Sequence, residues 1–183
     1  MARVPYLTQD DLEPDDRVLL DRPVNIFRAL VHSPKGARAF ARHGSYLLGR
    51  SKLDPRLREL AIIQVGYITK SDYEYAHHVD IGRRNGVSDD DIRAIAEETA
   101  GRETGLDALD RAVLQAAREL TVDVSLANDA FATLEAGLDR ASLIDLFLTI
   151  AFYNGVVRII AALQIDVEDS YLHYLDEFPL PAD

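Results

Sequence analysis

The stretch "LDPRLRELAIIQVGYITK", residues 53–70, decides the fold that we predict for this chain. Asp54 followed by Pro55 is typical of a helix start, because aspartate caps the first turn and proline fits within it. Apolar residues then recur with helical period and also occupy the other faces, around Glu59. A helix that is apolar on nearly every side is buried on nearly every side. The stretch therefore predicts a central helix that carries a buried carboxylate.

Helices are predicted on both sides of this stretch. Ser71 with Glu74 three residues later has the pattern of a capping box, and this helix should end near Asn85–Gly86. A long apolar helix is predicted from about Arg140 to Leu163. Since no segment shows the alternation of a β-strand, we predict an all-α helical bundle.

The composition is that of one soluble globular domain. The chain has 183 residues, of which 48% are hydrophobic and 28% are charged. Residues 1–22 are polar, acidic and punctuated by proline, which indicates an N-terminal arm that is extended or poorly ordered. Residues 23–183 are predicted to form the single domain.

Charge and hydropathy indicate the partners and the location. Acidic residues outnumber basic ones by 31 to 20, for a net charge of −11, so nucleic acid is not an expected partner. The start lacks a basic segment followed by an apolar run, and we expect a cytoplasmic protein. The longest apolar region, residues 143–165, contains Asp145, Asn154 and Arg158, which are costly in hydrocarbon. We interpret it as a core helix and expect no membrane partner.

Two adjacent histidines lie on the helix predicted to begin at Ser71. Glu74 and His78 are four residues apart and share a face, with Tyr75 beside them. The carboxylate can orient the imidazole and raise its pKa, which suits general acid catalysis. His77 projects about 100° away, so we expect it to lie beside Tyr73 and Arg84 and not to share the task of His78. The alternative is an ordinary surface pair, with Glu74 occupied in the capping box.

Three further residue patterns bear on the site. Glu74 and His77 fit a Glu-x-x-His metal motif, but di-iron bundles need that motif twice, and we predict no metal. A buried Glu59 must be paired or have its pKa raised, and Arg56 one turn earlier is the candidate partner. Arg158 is expected either to pair with a structural acid or to face an anionic ligand.

Residues 25–95, and less sharply the segment "AFYNGVVRIIAAL", resemble the carboxymuconolactone decarboxylase family, which includes the alkylhydroperoxidase D proteins. The redox branch of that family carries a glutamate, a Cys-x-x-Cys pair and a histidine four residues after the second cysteine. Here Glu59 and His78 match the glutamate and the histidine. Ser71 and Glu74 occupy the cysteine positions, and the chain contains no cysteine. Since a thiol peroxidase cycles through a disulfide, we predict that this chain is not one.

The resemblance is to the branch without the cysteine pair. It implies an all-α subunit of a trimer or hexamer, which would also explain the apolar central helix. It further implies decarboxylation of a small organic acid or lactone without any cofactor. The catalytic residues would be His78 as general acid with Glu59 and Glu74, and the substrate contacts would be Arg158 and Tyr75. The alternatives are an isomerase or hydrolase using the same pocket, and a non-catalytic oligomeric scaffold or ligand-binding member of the family.

Overall fold

The computed structural model describes residues 2–181, which contain nine α-helices, three short 3-10 helices and no strand. The predicted all-α fold is confirmed. The α-helices are α1 Asn25–Leu30, α2 Pro34–Gly49, α3 Pro55–Ile68, α4 Asp72–Arg84, α5 Asp89–Thr99, α6 Ala108–Val122, α7 Asn128–Gly137, α8 Arg140–Leu163 and α9 His173–Glu177.

Helix α3 is the centre of the bundle. The Asp54 carboxylate accepts hydrogen bonds from the backbone amides of Arg56 and Leu57, as the capping pattern predicts. Every residue from Leu57 to Tyr67 is buried, because α4, α5, α6 and α8 all pack around this helix. A single chain already covers α3, so its apolar faces do not by themselves call for an oligomer.

A close approach of α3 and α4 positions the site. A Cβ atom added at Gly66 would lie 3.0 Å from the backbone nitrogen of Tyr75 and 3.1 Å from its Cα atom. Only glycine allows the two helices to pack at this distance. About two turns away, the same pair of helices brings Glu59 and His78 into contact.

The capping box predicted at the start of α4 is not formed. Ser71 is the N-cap residue, but its hydroxyl makes no hydrogen bond, and it is the one fully buried side-chain oxygen left unpaired among the described residues. The Glu74 carboxylate turns to His78 instead of back to the Ser71 amide. The predicted end of α4 is confirmed, because Asn85 follows its last residue and Gly86 adopts a φ of 92°.

Residues 2–22 pack on the bundle and are not extended throughout. They contain the 3-10 helices Gln9–Asp11 and Pro14–Leu20. Leu12 and Leu20 are buried in a small apolar cluster with Val31 and Ala37. This arm therefore forms part of the wall around the region between α1, α2 and α4.

Helix α8 begins and ends where the sequence predicts, at Arg140 and Leu163. It is the one described helix that is long and apolar enough to cross a membrane by length and composition. Its Asp145 is buried and accepts hydrogen bonds from the hydroxyls of Tyr46 (2.8 Å) and Ser51 (2.7 Å). One face of α8 packs on α3, and much of the rest of the helix is exposed.

Candidate active site

His78 lies between two carboxylates. Its Nδ1 atom is 2.7 Å from Oε2 of Glu59 on α3, and its Nε2 atom is 3.0 Å from Oε1 of Glu74, one turn earlier on α4. All three residues are buried, with exposed fractions of 5% for His78, 3% for Glu74 and 0% for Glu59. The structure thus brings the three predicted catalytic residues together. We call this chain of contacts, Glu59–His78–Glu74, the relay.

Arg58 completes the charge balance of the relay. Its Nε and Nη2 atoms lie 2.9 and 2.8 Å from Oε1 of Glu59, and the residue is only 4% exposed. The predicted partner, Arg56, instead pairs with Asp91 and Asp110. Adjacent helical residues point about 100° apart, so spacing alone favours the partner one turn away. The long Arg58 side chain reaches across that angle.

The pKa of His78 is raised to about 9. Burial acts to lower this pKa, but the negative charges of Glu59 and Glu74 and their hydrogen bonds raise it by more. His78 is therefore an imidazolium at neutral pH. With two cations and two anions, Arg58 and the relay are together neutral, which is how four charges can be buried side by side.

A cavity of about 640 Å3 lies against the relay. Its volume is within the range of sites for small molecules. Glu74 and His78 line it, whereas Glu59 lies behind them. Most of the remaining wall is apolar and aromatic, with charged side chains at the exposed rim. The apolar wall includes Val18, Ile26, Phe27, Phe40, Leu48, Phe152 and Val156, and the rim includes Asp21, Arg22 and Arg84.

Tyr153 on α8 also lines this cavity, and spacing in the sequence did not indicate it. Its ring packs edge-on against His78, with centroids 4.8 Å apart. No described residue makes a hydrogen bond to its hydroxyl. The oxygen is not fully buried, and because Tyr153 lines the cavity, the hydroxyl opens onto it. Burial and then the charges of Glu74 and Glu59 hold its pKa well above the usual value. Tyr153 is a neutral hydrogen-bond donor.

His77 lines the same cavity, which the sequence did not lead us to expect. It stacks on Tyr73, as predicted, with centroids 4.3 Å apart, and on Tyr171 at 3.8 Å. Its Nε2 atom lies 2.6 Å from Oε2 of Glu168, which is 91 residues away in the chain. The expected contact with Arg84 is replaced by this pair, and Arg84 pairs with Asp80.

The two residues predicted to bind substrate do not lie at this cavity. Tyr75 is buried in the contact between α4 and α3, against Gly66 and Tyr67. Arg158 is exposed and hydrogen-bonds to Asn154, beside a separate, apolar cavity of about 670 Å3. Both residues point away from the relay because of their places on their own helices.

No cluster of three or more histidine, aspartate or glutamate side chains within residues 2–181 has the arrangement of a metal site.

Residues 34–119 match the model of the Carboxymuconolactone decarboxylase family. The likeness to that family is carried by these 86 of the 183 residues. The matched region contains α2 to α5 and most of α6, and hence Arg58, the relay and His77. Tyr153 and Glu168 lie outside the matched region. No curated protein matches the sequence.

Solved structures show the same fold. An uncharacterized peroxidase-related protein with an alkylhydroperoxidase AhpD core, from Ralstonia eutropha JMP134, is 20% identical with a TM-score of 0.79, over 93% of this chain and 94% of that chain. A peroxidase-related protein from Silicibacter sp. TM1040 is 18% identical, with a TM-score of 0.74, over 92% and 90%. The debrominase Bmp8, as a cysteine-to-alanine variant with 2,3,4-tribromopyrrole, is 20% identical, with a TM-score of 0.80, over 97% and 100%.

Proposed function

We propose that this protein is a cofactor-independent acid–base enzyme that decarboxylates a small organic acid or lactone. The observation that carries the proposal is the buried relay at the wall of the cavity, with an imidazolium held between two carboxylates. A buried acid that keeps its proton at neutral pH can supply that proton to a developing carbanion. A thiol peroxidase mechanism is not available to this chain, because it has no cysteine.

The proton reaches the substrate through Glu74. Both ring nitrogens of His78 are held by carboxylates, whereas Glu74 both touches His78 and lines the cavity. When the bond to the substrate carboxylate breaks, carbon dioxide leaves and the electron pair moves toward the lactone carbonyl. The carbanion then takes one proton from the relay, and water returns one proton to His78. Glu59, neutralised by Arg58, keeps the imidazole oriented.

The rest of the cavity supports this chemistry. An apolar wall favours loss of a carboxylate, because it replaces the water around that charge. The Tyr153 hydroxyl, open to the cavity, can donate a hydrogen bond to the oxygen on which negative charge develops. Arg22 and Arg84 at the rim attract an anionic substrate. An isomerase or hydrolase would use the same groups, whereas a non-catalytic scaffold would not require a proton relay beside a cavity.

We also propose that the protein is a homo-oligomer, a trimer or hexamer. With α3 covered within one chain, the support for this comes from apolar side chains exposed on α7 and α8. Ile144 is 55% exposed, Leu148 40% and Phe131 39%. Light scattering at micromolar concentration should give the mass of a multimer, and a monomer would contradict the proposal.

The enzymatic proposal is tested by a screen of small lactones and dicarboxylates for release of carbon dioxide. Glu74→Gln keeps the size and polarity of the side chain but cannot carry the proton, so turnover should fall by about 10²- to 10⁴-fold. The matched control is Glu135→Gln, at an exposed position on α7, which should retain full activity. Equal turnover by the two variants, or no turnover of any compound by the wild type, would contradict the proposal.

A further inference from the structure

We propose that His77 and Glu168 form a second proton-transfer site in the same cavity, with Nδ1 of His77 as the atom that meets the substrate. The pair is separate from the relay, because it joins α4 to the C-terminal segment rather than to α3. The reaction that we assign to the His77–Glu168 pair rests on the proposed function above, whereas the geometry of the pair does not depend on it.

Glu168 is held in one position by three contacts. Its Oε2 atom accepts a hydrogen bond from Nε2 of His77 (2.6 Å), and its Oε1 atom accepts from the backbone amide of Asn25 (2.6 Å) and, more weakly, from the Tyr73 hydroxyl (3.4 Å). Burial acts to raise the pKa of Glu168, but the hydrogen bonds from His77 and Asn25 lower it overall. It is therefore a carboxylate that fixes which nitrogen of His77 carries the proton.

The His77 ring is left with one open edge. Tyr73 covers one face and Tyr171 the other, and Glu168 occupies Nε2. No residue in the described part of the chain makes a hydrogen bond to Nδ1 of His77, and this atom is not fully buried. Since His77 lines the cavity, its unpaired nitrogen is accessible from there.

This arrangement is that of a general base. A carboxylate that accepts Nε2–H leaves a lone pair on Nδ1 and stabilises the imidazolium that forms when this atom takes a proton. His78 cannot act in this way, because both of its nitrogens are occupied. The cavity therefore has an acid that gives a proton through Glu74 and a base that accepts one at His77.

The substrate class that uses both groups is an enolisable unsaturated lactone or acid. Nδ1 of His77 takes a proton from the carbon next to the carbonyl, and the C–H electron pair moves into the conjugated system. The relay then gives a proton to the far carbon, so the double bond shifts and no atom is gained or lost. Exchange with water returns the two groups to their first state. Decarboxylation produces the same type of delocalised anion, so one cavity serves both reactions.

Diethylpyrocarbonate tests the open nitrogen without any need for the substrate. An unprotonated imidazole nitrogen attacks one carbonyl carbon of this reagent, ethyl carbonate leaves, and the proton of the ring goes to solvent. Tandem mass spectrometry that cleaves between residues 77 and 78 then assigns the modified histidine. The exposed His173 serves as the internal standard in the same sample.

His77 should be modified at a rate comparable with that of His173, despite its burial. His78 should react at least about tenfold more slowly, because at least one hydrogen bond of about 1.4 kcal/mol must break first. Glu168→Gln, which weakens the orienting contact, should slow modification of His77 and leave that of His173 unchanged. A His77 that reacts no faster than His78 overturns the proposal. A reactive His77 together with no decarboxylation in the lactone screen overturns the proposed function alone.

Discussion

Two neighbouring histidines on α4 are both paired with glutamate, yet their surroundings differ. His78 lies in a fully compensated group of charges, with carboxylates on both nitrogens and Arg58 behind Glu59. His77 has one carboxylate, two tyrosine rings and one open nitrogen. Because the protein occupies both nitrogens of His78 but only one of His77, we propose an acid at the first ring and a base at the second.

The largest expected effect is on decarboxylation. His78→Gln should lower turnover of a substrate found in the screen by about 10²- to 10⁴-fold, because it removes the proton donor. His77→Gln should lower decarboxylation by less than about tenfold while abolishing exchange of the proton next to the carbonyl. Steady-state assays in D2O, followed by NMR, measure both reactions. Equal losses of decarboxylation in the two variants would show that the histidines do not have separate roles.

Arg58→Met should destabilise the fold by about 3–5 kcal/mol, because Glu59 would remain buried with one cation fewer around the relay. Arg38→Met removes an exposed pair with Asp16 and should cost less than about 1 kcal/mol. Denaturant unfolding followed by circular dichroism measures the difference. A small loss for Arg58→Met would mean that Glu59 is not held as a carboxylate.

Stability should depend on pH through His78. The folded chain keeps a proton on His78 up to about pH 9, whereas the unfolded chain releases it near 6.5. Because the folded state binds more protons in this window, the stabilisation present below pH 6.5 is lost as the pH rises toward 9. The shift corresponds to roughly 3 kcal/mol. Unfolding free energies across this range should fall for the wild type and fall less for His78→Gln.

Gly66→Ala should disturb the contact of His78 with Glu59 while leaving the contact of His77 with Glu168 intact. The added Cβ would press on the α4 backbone at Tyr75, so we expect a loss of about 1–3 kcal/mol and a longer contact between Glu59 and His78. The contact of His77 with Glu168 does not involve α3 and should persist. Gly155→Ala, on α8 with nothing near the added atom, should instead stabilise by about 0.5–1 kcal/mol. Thermal melts measure the two changes in stability, and the rates at which diethylpyrocarbonate modifies His77 and His78 show whether the His78 contact alone is disturbed.

Much of the fold could be predicted from the sequence, because the signals are local. The Asp54 cap, the end of α4 at Asn85–Gly86 and the bounds of α8 all depend on residues that are close in the chain. The capping box at Ser71 failed for a tertiary reason. A buried imidazolium attracts the Glu74 carboxylate more strongly than one backbone amide does, and this attraction appears only after α3 and α4 have packed.

The site could be predicted in part. Glu59, Glu74 and His78 were found through spacing and family resemblance, and the structure brings them together. Tyr153 and Glu168 lie on elements 75 or more residues away, and no periodic pattern connects them to α4. A charge within an apolar helix favours Arg158 as a substrate contact, but the face of α8 that meets the cavity depends on how α8 packs on α3. Arg58 was missed because adjacent helical residues are not expected to pair.

The ring nitrogens of His78 report directly on whether the relay keeps an acid at neutral pH. Protein labelled with 15N in histidine is titrated by NMR, with His78→Gln used to assign the signals. Both nitrogens of His78 should carry protons through neutral pH, and one proton should be lost near pH 9. A neutral His78 ring at pH 7, with a midpoint at or below the ordinary value of 6.5, would mean that the two carboxylates do not hold an imidazolium.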